Sequence, residues 1–183
     1  PEAPPEPTPD LPEEKGPNYP LHLGLFLATC FTTSWVGVLN KFPEVSWLDM
    51  GAIIPLLPQG MPYALSIVSI LLTHEMGHFV LARRHGVKAS LPYFIPIPIP
   101  PVGTMGAVIR MEGRVGSRDA LADIGASGPL AGLVVAIPVL LYGLYISKVG
   151  PINGGLLEGN SLLYLAAKLL VKGQILPGGG VDV

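Results

Sequence analysis

The sequence predicts an all-α membrane protein, a multi-span helical bundle that also carries a small membrane-associated extended (β) segment. Three observations predict it. Of 183 residues, 49% are hydrophobic and 13% charged, with a mean hydropathy of +0.52, whereas a water-soluble domain carries about a quarter charged residues. Apolar stretches of bilayer length recur at about 21–39, 61–82 and 120–147. Between the second and third of these, Pro92, Pro96, Pro98, Pro100 and Pro101 alternate with apolar side chains and forbid a regular helix.

Taken in order, residues 1–20 hold eight of the 21 prolines and five acids against one base, Lys15, so they bury too little surface to offset the entropy of ordering. A disordered tail is expected there, followed by one membrane domain over 21–183. Nineteen helical residues at 21–39 reach roughly 28 Å, one bilayer core. After a polar connector at 40–49, the stretch 50–57 is too short to span and is bounded by Pro55 and Pro58, which predicts a separate interfacial or re-entrant piece. The second span, 61–82, runs from an apolar stretch at 64–72 straight into Thr73-His74-Glu75-Met76-Gly77-His78. Residues 90–111 are then extended, with Gly103-Thr104-Met105-Gly106 turning into a second strand at 107–109; proline brings fewer unpaired N–H groups to membrane depth. The third span, 120–147, has Gly128, Gly132 and Ala136 every four residues, a small-residue face that another helix can approach closely. Residues 160–171 read as a short helix.

Charge sets orientation and excludes one class of partner. The formal net charge is −2, from 11 bases and 13 acids, and no broad basic field exists to hold nucleic acid. The connector between the first two spans has only Lys41, while Arg83, Arg84, Lys88, Arg110, Arg114 and Arg118 follow the second. By the positive-inside rule the tail and the 83–118 region face the cytoplasmic-type side, with His74 and His78 in the half of their helix nearer that side. The single cysteine, Cys30, excludes an intrachain disulfide and a cysteine-based zinc cluster.

His74-Glu75-Met76-Gly77-His78 is an HExxH pattern. Residues four apart share a helix face, so both imidazoles can bind one Zn²⁺ while Glu75 reaches a water on the metal and acts as general base. The alternatives are a proton or ion pathway in a transporter and a proteolytically inactive membrane scaffold. Ionisable groups at membrane depth cost about 2.5–3.5 kcal/mol each, which weighs against three arising there without a function. A catalytic zinc site takes three protein ligands. Among further donors, Asp119 and Asp123 suit the first turn of a helix, Glu112 a solvated loop and His85 a headgroup position; Glu158 and Asp182 follow the third span, and none is a convincing third ligand.

On these motifs the chain resembles the intramembrane site-2 protease family of zinc metalloproteases, nearest to the branch shared by bacteria, archaea and plastid proteins involved in plant greening. Besides the HExxH span, Phe94-Ile95-Pro96-Ile97-Pro98 leading into Gly103-Thr104-Met105-Gly106-Ala107 resembles that family's extended segment. Asp123-Ile124-Gly125-Ala126-Ser127-Gly128-Pro129-Leu130-Ala131-Gly132 resembles the start of its next core helix. The resemblance implies Zn²⁺ as cofactor, His74 and His78 as its ligands, Glu75 as the catalytic acid/base, and a membrane protein in the lipid bilayer as substrate. Some branches have Asn where Gly132 stands. The family's third ligand is an aspartate in a later Asp-Gly motif, and no Asp-Gly pair occurs here. With Pro1 at the start and a Gly-rich stretch before Val183, the expectation is a fragment of a longer metalloendopeptidase, its third ligand beyond Val183 and the fragment alone inactive. An integral, multi-pass protein of a prokaryotic plasma membrane is expected, with a plastid membrane as the alternative host.

Overall fold

The computed structural model describes residues 16, 18–113, 115–151, 161–174 and 181–182. The chain is mostly helical, and three of its helices are long and apolar enough to cross a membrane: α1 (Tyr19–Lys41), α2 (Met50–Arg84) and α3 (Arg118–Ile146). Each begins where a side-chain oxygen accepts a backbone N–H left over in the first turn: Asn18 from Leu21, Asp49 from Ala52 and Ser117 from Ala120. α1 thus starts at Tyr19, inside the stretch read as tail; most of that expected tail lies outside the described residues.

α2 is the centre of the molecule, with α1 and α3 packed against it. It corrects one expectation, because 50–57 is not a separate piece: it is the start of a 35-residue helix that continues through Pro55, Pro58 and Pro62. Contact with α1 holds that start in line. Ile53, fully buried, packs with Trp35 and Val38, and at Gly60 the α2 backbone approaches the Ser34 carbonyl so closely that a Cβ would overlap it. Neighbouring helices can hold a proline-bearing helix together where an isolated one would break.

The proline-rich segment forms an antiparallel hairpin. β2 (Tyr93–Pro96) pairs with β3 (Thr104–Val108), with Tyr93 opposite Val108, Phe94 opposite Ala107 and Pro96 opposite Thr104. The second strand therefore begins three residues before the expected 107–109 and ends one residue short of it, because the turn is completed by Gly103, at φ +88°. The hairpin lies along α1: His22 meets Tyr93 at 4.2 Å between ring centroids, and Phe26 meets Phe94 edge-on at 5.2 Å. A Cβ at Gly103 would stand 2.8 Å from the Thr32 carbonyl oxygen and Thr33 Cα, and Asn40 donates to the Pro101 carbonyl at 3.2 Å.

Two short strand pairs and a short helix complete the described structure. β1 (Lys88–Ala89) pairs with β4 (Met111–Glu112), and β5 (Gly150–Pro151) pairs with β6 (Val181–Asp182), both antiparallel. The short helix expected at 160–171 is α4 (Leu162–Lys172), packed against α3.

Candidate functional site

In the C-terminal half of α2, His74 and His78 stand one turn apart on the face toward α3. Their rings lie 4.8 Å apart between centroids at an interplanar angle of 76°, and the two Nε2 atoms are 3.1 Å apart. The Nδ1 of His78 is 2.7 Å from the backbone carbonyl of Ile124 on α3. A carbonyl only accepts, so Nδ1 carries the proton, and in the neutral ring Nε2 presents its lone pair toward His74. The facing Nε2 of His74 can donate a proton to that lone pair or share a cation with it. Two nitrogens on one tetrahedral Zn²⁺ at 2.0–2.1 Å would be separated by roughly 3.3 Å, close to the separation of these two rings, so the pair suits a shared ion. The carbonyl that fixes the tautomer acts as an outer-shell partner does in zinc proteins.

Glycine makes this closeness possible. A Cβ at Gly128 would overlap the His78 ring, and one at Gly77 would stand 2.5 Å from the Ser127 carbonyl oxygen. At Gly132 a Cβ would stand 3.4 Å from Cβ and Nδ1 of His74, ordinary contact. The small-residue face read from the sequence is therefore the surface that receives the two histidines.

Glu75, one residue along, is buried at 8% exposure and turns toward the hairpin, its carboxylate against the backbone N–H of Ile109. Glu75 and His78 line one wall of an open cleft of about 290 Å³; Ala107, Val108 and Ile109 form another, and Leu121 of α3 a third. Among the described residues β3 pairs with no strand but β2, so its other edge carries no strand there. A carboxylate, an imidazole and a strand edge thus share one apolar cleft.

The other sequence candidates lie elsewhere. His85 caps α2 and bonds Asp123 through Nε2 at 3.1 Å, an ion pair on the outer surface when the ring is protonated. Asp119 sits in the first turn of α3, and Glu112 faces Arg110 at 3.6 Å on the surface. Glu158 and the side chain of Asp182 lie outside the described residues. Among the described residues no three His, Cys, Asp or Glu side chains form a cluster that could hold a metal ion. The sequence reading missed the Ile124 carbonyl, a partner that no side-chain pattern can signal.

Comparison with known proteins gives a consistent picture. The model of peptidase family M50 matches residues 62–174, which include both histidines, Glu75, the hairpin and α3. The chain is 30% identical over 175 residues to the probable zinc metalloprotease EGY1, chloroplastic, of Arabidopsis thaliana, covering 86% of this chain and 32% of that protein. It is 31% identical over 176 residues to the protein of the same name from Oryza sativa subsp. japonica, covering 86% and 30%. With the probable zinc metalloprotease EGY2, chloroplastic, of Arabidopsis thaliana it shares 36% identity over 91 residues, 50% of this chain and 16% of that protein. The chain spans about a third or less of the length of these relatives. No solved structure matches. On the extent of the family match and the motifs within it, the chain belongs to peptidase family M50.

Proposed function

We propose that this chain is the core of a zinc-dependent intramembrane endopeptidase, with α1, α2 and α3 crossing the bilayer as a multi-pass bundle and a membrane-embedded protein as substrate. The observation that carries the proposal is the 3.1 Å approach of the His74 and His78 Nε2 atoms, with His78 oriented by the Ile124 carbonyl. His74 and His78 would hold the ion. Zinc, when bound, lowers the pKa of a water ligand to about 7 and polarises the scissile carbonyl. Glu75 takes the proton from the attacking water and returns it to the departing amine, so the peptide bond is hydrolysed without a covalent intermediate. Its carboxylate is buried at the wall of an apolar cleft.

A substrate helix shields its peptide bonds, and cleavage requires it to unwind. The open edge of β3 can hold an unwound segment as an added strand, with Ala107 to Ile109 presenting it to Glu75. Since a catalytic site takes three protein ligands and the described residues supply two, the proposal calls for a third donor from elsewhere in the protein. The relatives' names place those proteins in the chloroplast, which favours a plastid-type membrane over the prokaryotic plasma membrane as host.

The test uses the full-length protein in bilayers. Wild type should carry zinc and cut a single-span test substrate; Glu75→Gln should keep the zinc and lose cleavage; His74→Ala should lose both. A wild-type protein that moves protons or ions in response to the same substitutions and never cleaves would replace this reading with the transporter.

A further inference from the structure

α4 presents its apolar residues outward. Leu162, Leu163, Ala166, Leu169 and Leu170 are all exposed and, at 100° per residue, fall on one continuous arc of the helix. The opposite side is turned inward: Ala167 and Lys168 are buried, and the Lys168 ammonium lies 4.2 Å from the Tyr164 ring centroid. A helix resting in water would show the reverse pattern.

Its position says what covers that arc. Lys172 Nζ donates to the Ser147 carbonyl at 2.6 Å, so α4 is tied to the end of α3. That end carries the exposed Tyr142, Tyr145 and Ile146, followed by Lys148. Tyrosine and lysine at the end of an apolar helix mark the level of the headgroups, where a ring can rest in hydrocarbon with its hydroxyl in water and an ammonium can meet phosphate. α4 is closed at both ends, by the Ser161 side chain accepting from the Tyr164 N–H and by Gly173 at φ +70°. Its 11 residues reach roughly 16 Å, too short to cross.

We infer that α4 is an interfacial membrane anchor, lying in the plane of the bilayer surface at the end of the bundle remote from His74 and His78, with its leucine arc in phospholipid. The inference goes beyond the proposed peptidase function and rests only on its membrane-crossing part. Lys172 is tied to Ser147 and Lys148 is the next residue, so both ammonium groups stand at the end of α3, where phosphate oxygens are met.

The test is nitroxide depth measurement in vesicles of phosphatidylcholine and phosphatidylglycerol, on the full-length protein in a cysteine-free parent that includes Cys30→Ser. Single cysteines replace Gly116 in the loop before α3, Val134 in the middle of α3, and Leu170 in α4. Collision with oxygen, which concentrates in lipid, is compared with collision with a water-soluble nickel chelate. The label at 170 should prefer oxygen over nickel at a depth between those at 116 and 134, and Leu163→Cys on the same arc should repeat that depth. Nickel access at 170 equal to that at 116 overturns the inference. So does a depth equal to that at 134, or shielding from both reagents, which would mean a protein cover. Nickel access at 134 itself overturns the membrane crossing and the anchor together.

Discussion

A methyl group at residue 128 has nowhere to go except into the His78 imidazole. Gly128→Ala must therefore push α3 away from α2 or turn His78 from the Ile124 carbonyl. An overpacked core contact costs about 1–3 kcal/mol, and here the displaced group is a proposed ligand. The expected outcome is a drop in zinc affinity of 10- to 100-fold, about that for losing an outer-shell partner, read by competition with a chelator. Gly125→Ala, three residues away with open space around its Cβ, should leave zinc binding unchanged. A matching loss in both variants would show that any added bulk on this helix suffices and that the tight fit at 128 is irrelevant. At this scale the site was legible only in part. HExxH declares itself because ligation needs particular side chains at a particular spacing, and Gly128 and Gly132 show as a period of four. The Ile124 carbonyl cannot show, since every residue has one and only packing selects which is used.

Among the elements, α2 and the hairpin teach opposite lessons. Prolines at 55, 58 and 62 argue for interruption by local rules, and the helix nonetheless runs on because α1 covers its first turns. Local sequence carries no record of that cover. The hairpin, in contrast, was legible because five prolines exclude a helix whatever the surroundings; only its register escaped, being set by Gly103 against Thr32 and Thr33. Val108, opposite Tyr93 and half exposed at the cleft, offers the test of the strand's role. Val108→Pro removes one backbone donor and stiffens the strand that faces Glu75. Cleavage by the full-length protein should fall at least 10-fold while zinc content stays at the wild-type level. Unimpaired cleavage would leave the hairpin as packing for α1 and remove substrate addition from the mechanism. Phe94, buried against Phe26, belongs to that packing role, and Phe94→Ala should lower stability by about 3–5 kcal/mol.

For the whole molecule, the hairpin's path along α1 makes a claim about depth. Pro92 meets His22 near the start of α1, while Pro101 meets Asn40 near its end. Those two α1 residues are separated by about 27 Å along the helix, nearly the thickness of a bilayer core. The nine steps of extended chain from 92 to 101 cover about 30 Å, so the two lengths agree. Tyr63 of α2 donates to the Pro101 carbonyl at 3.0 Å, fixing the tip from a second helix. If α1 crosses the membrane, the hairpin tip crosses with it and emerges beside the 42–49 connector, opposite the bases Arg83, Arg84, Lys88, Arg110 and Arg118 that flank the hairpin, so 83–118 does not face one side throughout as the charge pattern alone suggests. Labelling with a membrane-impermeant maleimide in oriented vesicles checks this, using a cysteine-free parent that includes Cys30→Ser. Cysteines replacing Glu44 and Ile99 should react from one face, and one replacing Gly116 only from the other. Reaction of Ile99→Cys together with Gly116→Cys would mean that the hairpin turns back within the same leaflet. The strand edge would then offer a substrate no path from the far side to Glu75, and access to the cleft would have to come between α2 and α3 instead.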